Sequence, residues 1–209
     1  MNEKRQAEIT AHYMPMVEAV CDQTHKMASD IAGLFEGEPS AMPQVVAGFL
    51  THDGKQSFAV YGIALPFNTD DEKLAAAIYL GRSLSEASQH DQKCVAISLI
   101  SEAWTATFKP GEQQVRPADH PDRQEVLIVQ SLALGSTRGR MSSREISRDA
   151  AGASHCNGEW QHADGCEMHL LQKVFSAFAA FRMGQIENLP DVKLDGIREH
   201  KLAGDGEGV

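Results

Sequence analysis

The sequence predicts an α+β fold: a mixed, mostly antiparallel sheet of about four to five strands packed with three helices. Three observations carry this expectation. Asp53-Gly54 sits between two apolar runs, a strong hairpin signal. Thr69-Asp70-Asp71-Glu72 has the spacing of a capping box at a helix start. The elements follow the order α-β-β-α-β-β-(β)-α, which opens on a hairpin and lacks the strict alternation of a Rossmann-type sheet.

The first helix is read from Tyr13, Met16, Val17, Val20, Cys21, Met27, Ala28, Ile31, Leu34 and Phe35, which fall on one face at helical spacing. Pro15 fits only in a first turn, so this reading starts the helix near Met14. Val45 to Leu50 and Ser57 to Leu65 form the hairpin, with a type I′ turn expected at Asp53-Gly54. The capping box at Thr69 opens a second helix that runs to about Gln89.

Cys94 to Phe108 is the next strand. Val95, Ile97 and Leu99 share one parity, whereas Trp104 and Phe108 share the other, which predicts burial on both faces or a bulge near Ser101-Glu102. Val126 to Val129 is continuously apolar, as in a strand covered by helices on both faces. The polar stretch from Lys109 to Arg123, with Pro110, Pro117 and Pro121, reads as a loop. Arg140 to Arg148 reads as a polar edge strand in preference to a short helix. Asp164-x-x-Glu167 resembles the start of a last helix, whose apolar face is Leu170, Leu171, Val174, Phe175, Phe178 and Phe181. The whole is expected to form one domain over 1–201, followed by a disordered, acidic, Gly-rich tail at 202–209.

Composition narrows the function classes. A net charge of −10 opposes binding to nucleic acid or anionic membranes by bulk electrostatics. No stretch approaches the roughly 20 apolar residues of a membrane helix, and the polar start Met1-Asn2-Glu3-Lys4-Arg5-Gln6 leads into no signal core. Cys21, Cys94, Cys156 and Cys166 are too scattered for a disulfide framework. A cytoplasmic protein is expected.

Two constellations could carry chemistry. Cys156, His162, Cys166 and His169, with His155 nearby, offer thiolate and imidazole ligands of the kind that hold tetrahedral zinc. Four such ligands would close the shell, so a zinc ion here would be structural. The spacing matches no common zinc finger, and a loop anchored by Trp160 with exposed histidines explains the same residues more simply; no cofactor is therefore the leading expectation. Glu102, Asp122 and Glu125 could gather at one end of the sheet, as carboxylates for acid–base work or a hard cation. A local ion pair with Arg123 at a strand entrance explains them equally. Arg138, Arg140, Arg144 and Arg148 would share one strand face, either to guard an edge or to receive an anion.

The stretches Ser101-Glu102-Ala103-Trp104 and Pro121-Asp122-Arg123-Gln124-Glu125-Val126-Leu127, with Pro117 before the second, resemble a group of uncharacterised bacterial and phage proteins. The likeness covers about the middle third of the chain and implies one shared fold unit, with no activity attached. The leading expectation is a non-enzymatic cytosolic accessory or interaction protein of phage or mobile-element type. It would bind a protein partner or itself through an exposed helix or edge strand. The alternative is a small metal-dependent or carboxylate enzyme, or a zinc-stabilised domain.

Overall fold

A computed structural model describes residues 3–38, 43–63, 69–88, 91–111, 113, 115–185 and 199–200, with side chains from residue 11 to 185. The expected tail at 202–209 lies outside the described residues. The α+β class is as predicted. The elements are α1 (Glu3–Ala32), β1 (Gln44–Thr51), β2 (Gln56–Gly62), α2 (Asp70–Ala87), β3 (Gln92–Thr105), β4 (Gln124–Ala133), β5 (Arg138–Arg148), β6 (Ser154–Glu167), α3 (His169–Arg182) and the two-residue β7 (Glu199–His200). The sheet is antiparallel throughout, in the order β6-β5-β4-β3-β1-β2-β7.

The sheet therefore has six long strands plus β7, more than the four to five expected. The added strand is β6, a span the sequence presents as a loop and a helix cap. Its polar side chains conceal the period-2 pattern because most of them face water. Asp164 and Glu167 lie within this strand, and α3 begins only at His169, with no side-chain cap on its first turn. Because β6 pairs along β5, the arginine-bearing strand is internal and not an edge.

Helices cover both faces, as the apolar run in β4 predicts. On one face α1 lays Val17, Val20, Ala28 and Ala32 against Val46, Leu50, Ala96, Ile100, Leu127 and Val129. On the other, α2 and α3 cover Val45, Ala47, Phe49, Ile97, Leu99 and Leu132. Two close approaches fix these layers. A Cβ at Gly48 would lie 2.5 Å from Val20 Cγ1, and one at Gly81 would lie 2.6 Å from both Ala177 Cβ and the Phe178 backbone nitrogen.

Two local expectations need correction. The first helix begins at Glu3 and runs through Pro15. Ala11, whose carbonyl loses its partner at the proline, is exposed like Pro15 itself, so water can satisfy it. The hairpin forms, but its turn is not type I′, since among the described residues, Asp53 included, none other than glycine has positive φ. Gly54 (φ 86°) follows a turn closed by its N–H to the Thr51 carbonyl (3.1 Å), the longer hairpin connection with a glycine bulge. Of the two readings offered for β3, burial on both faces is the one observed, from Cys94 to Ser101, and pairing with β4 is unbroken at Ser101-Glu102. An irregularity in β3 lies where Gly48 and Phe49 oppose Ala96 and Cys94, so that Val95 and Ala96 both face α1. The capping box at Thr69 forms as expected: the Thr69 N–H donates to Glu72 Oε2 (2.9 Å) and the Glu72 N–H to Thr69 Oγ1 (3.2 Å).

Candidate functional site

The richest polar arrangement lies between α1 and the sheet. His25 projects from α1 onto β4 and β5, where its Nδ1 is 2.7 Å from Ser131 Oγ and its Nε2 is 2.7 Å from Ser142 Oγ. Ser131 continues to Ser98 Oγ at 2.6 Å, and Ser142 to His162 Nδ1 at 2.8 Å. The strand register explains the convergence. Ser98 pairs with Ser131 across β3 and β4, and Ser142 pairs with His162 across β5 and β6, so all four point to the α1 face.

Ser98, Ser131 and Ser142 are fully buried, His25 is half-buried and His162 is exposed. The chain Ser98–Ser131–His25–Ser142–His162 can be satisfied with the Ser131 and Ser142 hydroxyls each donating once and accepting once, and a neutral His25 imidazole donating at one nitrogen and accepting at the other. Burial holds the His25 pKa below the ordinary imidazole value. The Arg140 guanidinium and His162 push it the same way, while Asp164 and Asp22 oppose them.

Beside this network is an open cleft of about 340 Å³, with walls that include Glu18, Cys21 and Asp22 of α1, Ser131 of β4, Arg138 and Arg140 of β5, and Asp164 of β6. Arg140 is held by Asp22 at 2.8 Å and lies 3.9 Å from Asp164. The Cys21 thiol has its pKa pushed up to about 11, chiefly by burial, so it is a neutral thiol and a poor nucleophile at pH 7.

The carboxylate candidates divide. Glu102 and Glu125 do come together on the α1 face, with Arg148 between them: its Nη2 is 2.8 Å from Glu102 Oε2 and 2.7 Å from Glu125 Oε1. The guanidinium occupies lone pairs that a substrate or cation would need, which gives the pair the form of an ion-pair clamp. Asp122 is not part of it and sits in the exposed turn before β4, its N–H donating to His120 Nδ1 at 3.0 Å. Arg123, the partner suggested by the sequence, instead stacks over Trp104, 4.9 Å from the ring centre.

The Cys/His candidates are dispersed. Cys156 faces the α1 side near Ile146, whereas Cys166, ten residues and roughly 30 Å along the strand, packs on the opposite face. His162 belongs to the serine network, and His169 opens α3 beside Glu167 at 3.2 Å. Among the described residues no three His, Cys, Asp or Glu side chains form a group that could hold a metal ion. Three of the four arginines also separate by partner: Arg140 pairs with Asp22, Arg144 donates to the Gly158 carbonyl at 2.9 Å, and Arg148 clamps the glutamates.

His25, Ser98, Ser131 and Ser142 do not stand out in the sequence as site residues. The available signal was polarity at inward positions, such as Ser98 between Ile97 and Leu99 in an otherwise apolar strand. No helix among the described residues is long and apolar enough to cross a membrane. No protein-family model matches this chain, no curated protein is similar to it, and no solved structure matches it.

Proposed function

We propose that this chain is a non-enzymatic interaction protein of the cytoplasm that self-associates by pairing the β6 edge of one copy with that of another. The observation that carries this reading is the length and composition of that edge. β6 has 14 residues, more than twice the usual strand length of about 5–6. It contains neither proline nor lysine, two residues that commonly blunt a sheet edge.

At the start of the edge, Ser154 exchanges backbone hydrogen bonds with Gly37 and Glu38. Beyond it, the outer side of β6 has no partner strand among the described residues. An antiparallel pairing of β6 with its own copy closes about a two-fold axis, the commonest symmetry of soluble oligomers. Gly158 and Gly165, at positive φ, confine that pairing to the regular stretch between them. A cytoplasmic setting fits four cysteines that are all free. An accessory role of phage or mobile-element type rests on the resemblance alone.

Sedimentation velocity at micromolar protein tests the reading. A dimer is expected for the natural chain and a monomer for the Gln161→Lys/Ala163→Lys double variant, whose lysines would crowd four like charges about the axis. Both positions are exposed, so the variant's circular dichroism and melting should match the parent. A monomeric natural chain at this concentration overturns the proposal.

A further inference from the structure

The cleft between α1 and the β4–β6 end of the sheet has a charge pattern that specifies a ligand. Three carboxylates (Glu18, Asp22, Asp164) face two guanidinium groups (Arg138, Arg140), a net charge of −1. Arg140 is committed to Asp22, with Asp164 at the longer distance of 3.9 Å. Among the described residues, Glu18 and Arg138 have no ion-pair partner. The cleft therefore presents one uncommitted cation, one uncommitted anion and a second, weakly held carboxylate in Asp164. Ser131 and Ser136 also line it.

The volume of about 340 Å³ is at the lower end of the roughly 300–1,000 Å³ of ligand sites. That suits a small metabolite and is too small for a nucleotide cofactor. The wall is also constructed locally. An extra residue at Gly165 (φ 69°) shifts β6 against β5 between Gly139 and Arg140, and a Cβ at Gly165 would come 4.0 Å from Arg138 Nη1. Bulges of this kind re-aim side chains at sheet edges and beside binding sites. Ser131 is fully buried with its hydroxyl shared between His25 and Ser98, so it stiffens the floor of the cleft and offers no hydrogen bond to a ligand.

We infer that this cleft binds a basic amino acid of the lysine or arginine class. The ligand's carboxylate pairs with Arg138, its α-ammonium with Glu18 and its side-chain cation with Asp164. Its net charge of +1 neutralises the cleft, and a carboxylate–guanidinium pair is the strongest kind of hydrogen-bonded contact available there.

Isothermal titration calorimetry with L-lysine, L-arginine, cadaverine and L-norleucine tests the inference. One equivalent of L-lysine or L-arginine is expected to bind. Cadaverine, which lacks the carboxylate, and norleucine, which lacks the second cation, should each bind at least about tenfold more weakly. Arg138→Gln should weaken L-lysine binding by a similar factor and leave cadaverine unchanged, whereas Glu18→Gln should weaken both. Absence of heat with both amino acids at millimolar concentration overturns the inference. So does equal binding of cadaverine and L-lysine with no effect of Arg138→Gln, which would mark the cleft as an acidic patch that attracts any cation.

Discussion

His25 Nε2 and Ser142 Oγ lie 2.7 Å apart although 117 residues separate them in the chain. The imidazole bonds to two strands at once, and it fixes the helix at a single position along the sheet. Apolar contacts alone tolerate small slides, whereas a ring bonded at both nitrogens does not.

Replacing His25 with alanine should therefore cost more than its half-buried surface implies. The buried Ser131 and Ser142 hydroxyls would each lose one of two hydrogen bonds, keeping Ser98 and His162 as partners, at about 0.5–1.5 kcal/mol per bond on top of the lost packing of the ring. A total loss of about 2–4 kcal/mol is expected from urea unfolding. Ser131→Ala, which keeps the His25–Ser142 contact, should cost about half as much.

The same ring predicts a pH dependence. Its pKa in the folded chain is lowered, so folding favours the neutral form. That contribution is complete above the unfolded value of about 6.5 and is lost as pH falls through the lower, folded value. Urea unfolding between pH 5 and 8 should show the natural chain losing stability on the acid side. His25→Gln should have a shallower acid slope. Parallel slopes would mean that other groups set the dependence.

Arg148 predicts an asymmetric pair of mutants. Its side chain and those of Glu102 and Glu125 are 26%, 18% and 18% exposed, between a surface and a buried ion pair. Arg148→Met should cost about 1–3 kcal/mol, because it leaves two carboxylates facing each other. Adding Glu102→Gln and Glu125→Gln should restore most of the loss. If the triple variant is no more stable than Arg148→Met, lost packing and not charge is the cause.

Gly81 and Gly33 give a paired test of helix packing. Gly81→Ala places a methyl group against the α3 backbone and should destabilise the chain by about 1–3 kcal/mol. Gly33→Ala meets nothing within 4 Å and should be neutral, or stabilising by up to about 1 kcal/mol. Thermal melts of the two variants should move apart accordingly.

Much of the fold was legible because it is written in local signals. The Thr69 capping box and the apolar face of α3 each lie within a few residues of the chain. β6 was not legible: thirteen of its 14 residues are half-buried or exposed, so water, not a core, selects its side chains. The candidate site was hidden for the opposite reason. Ser98, Ser131 and Ser142 are small polar residues with no distinguishing motif, and only the register of three strands and the placement of α1 bring Ser131 and Ser142 to one imidazole, with Ser98 behind Ser131. Glu102 and Glu125 were the partial success, since their strands do pair as a long-looped hairpin. Arg148, from a third strand, completes the cluster and changes its meaning.

That α1 precedes the strands it packs on also has a consequence for synthesis. The helix emerges from the ribosome before its seat exists, since His25 must wait 106 residues for Ser131. At about 5–20 residues per second that delay is about 5–20 s. Throughout it, Val17, Val20, Ala28 and Ala32 present an uncovered apolar stripe on a nascent chain. Co-translational helpers that shield such stripes would therefore have a target until β4 supplies Ser131.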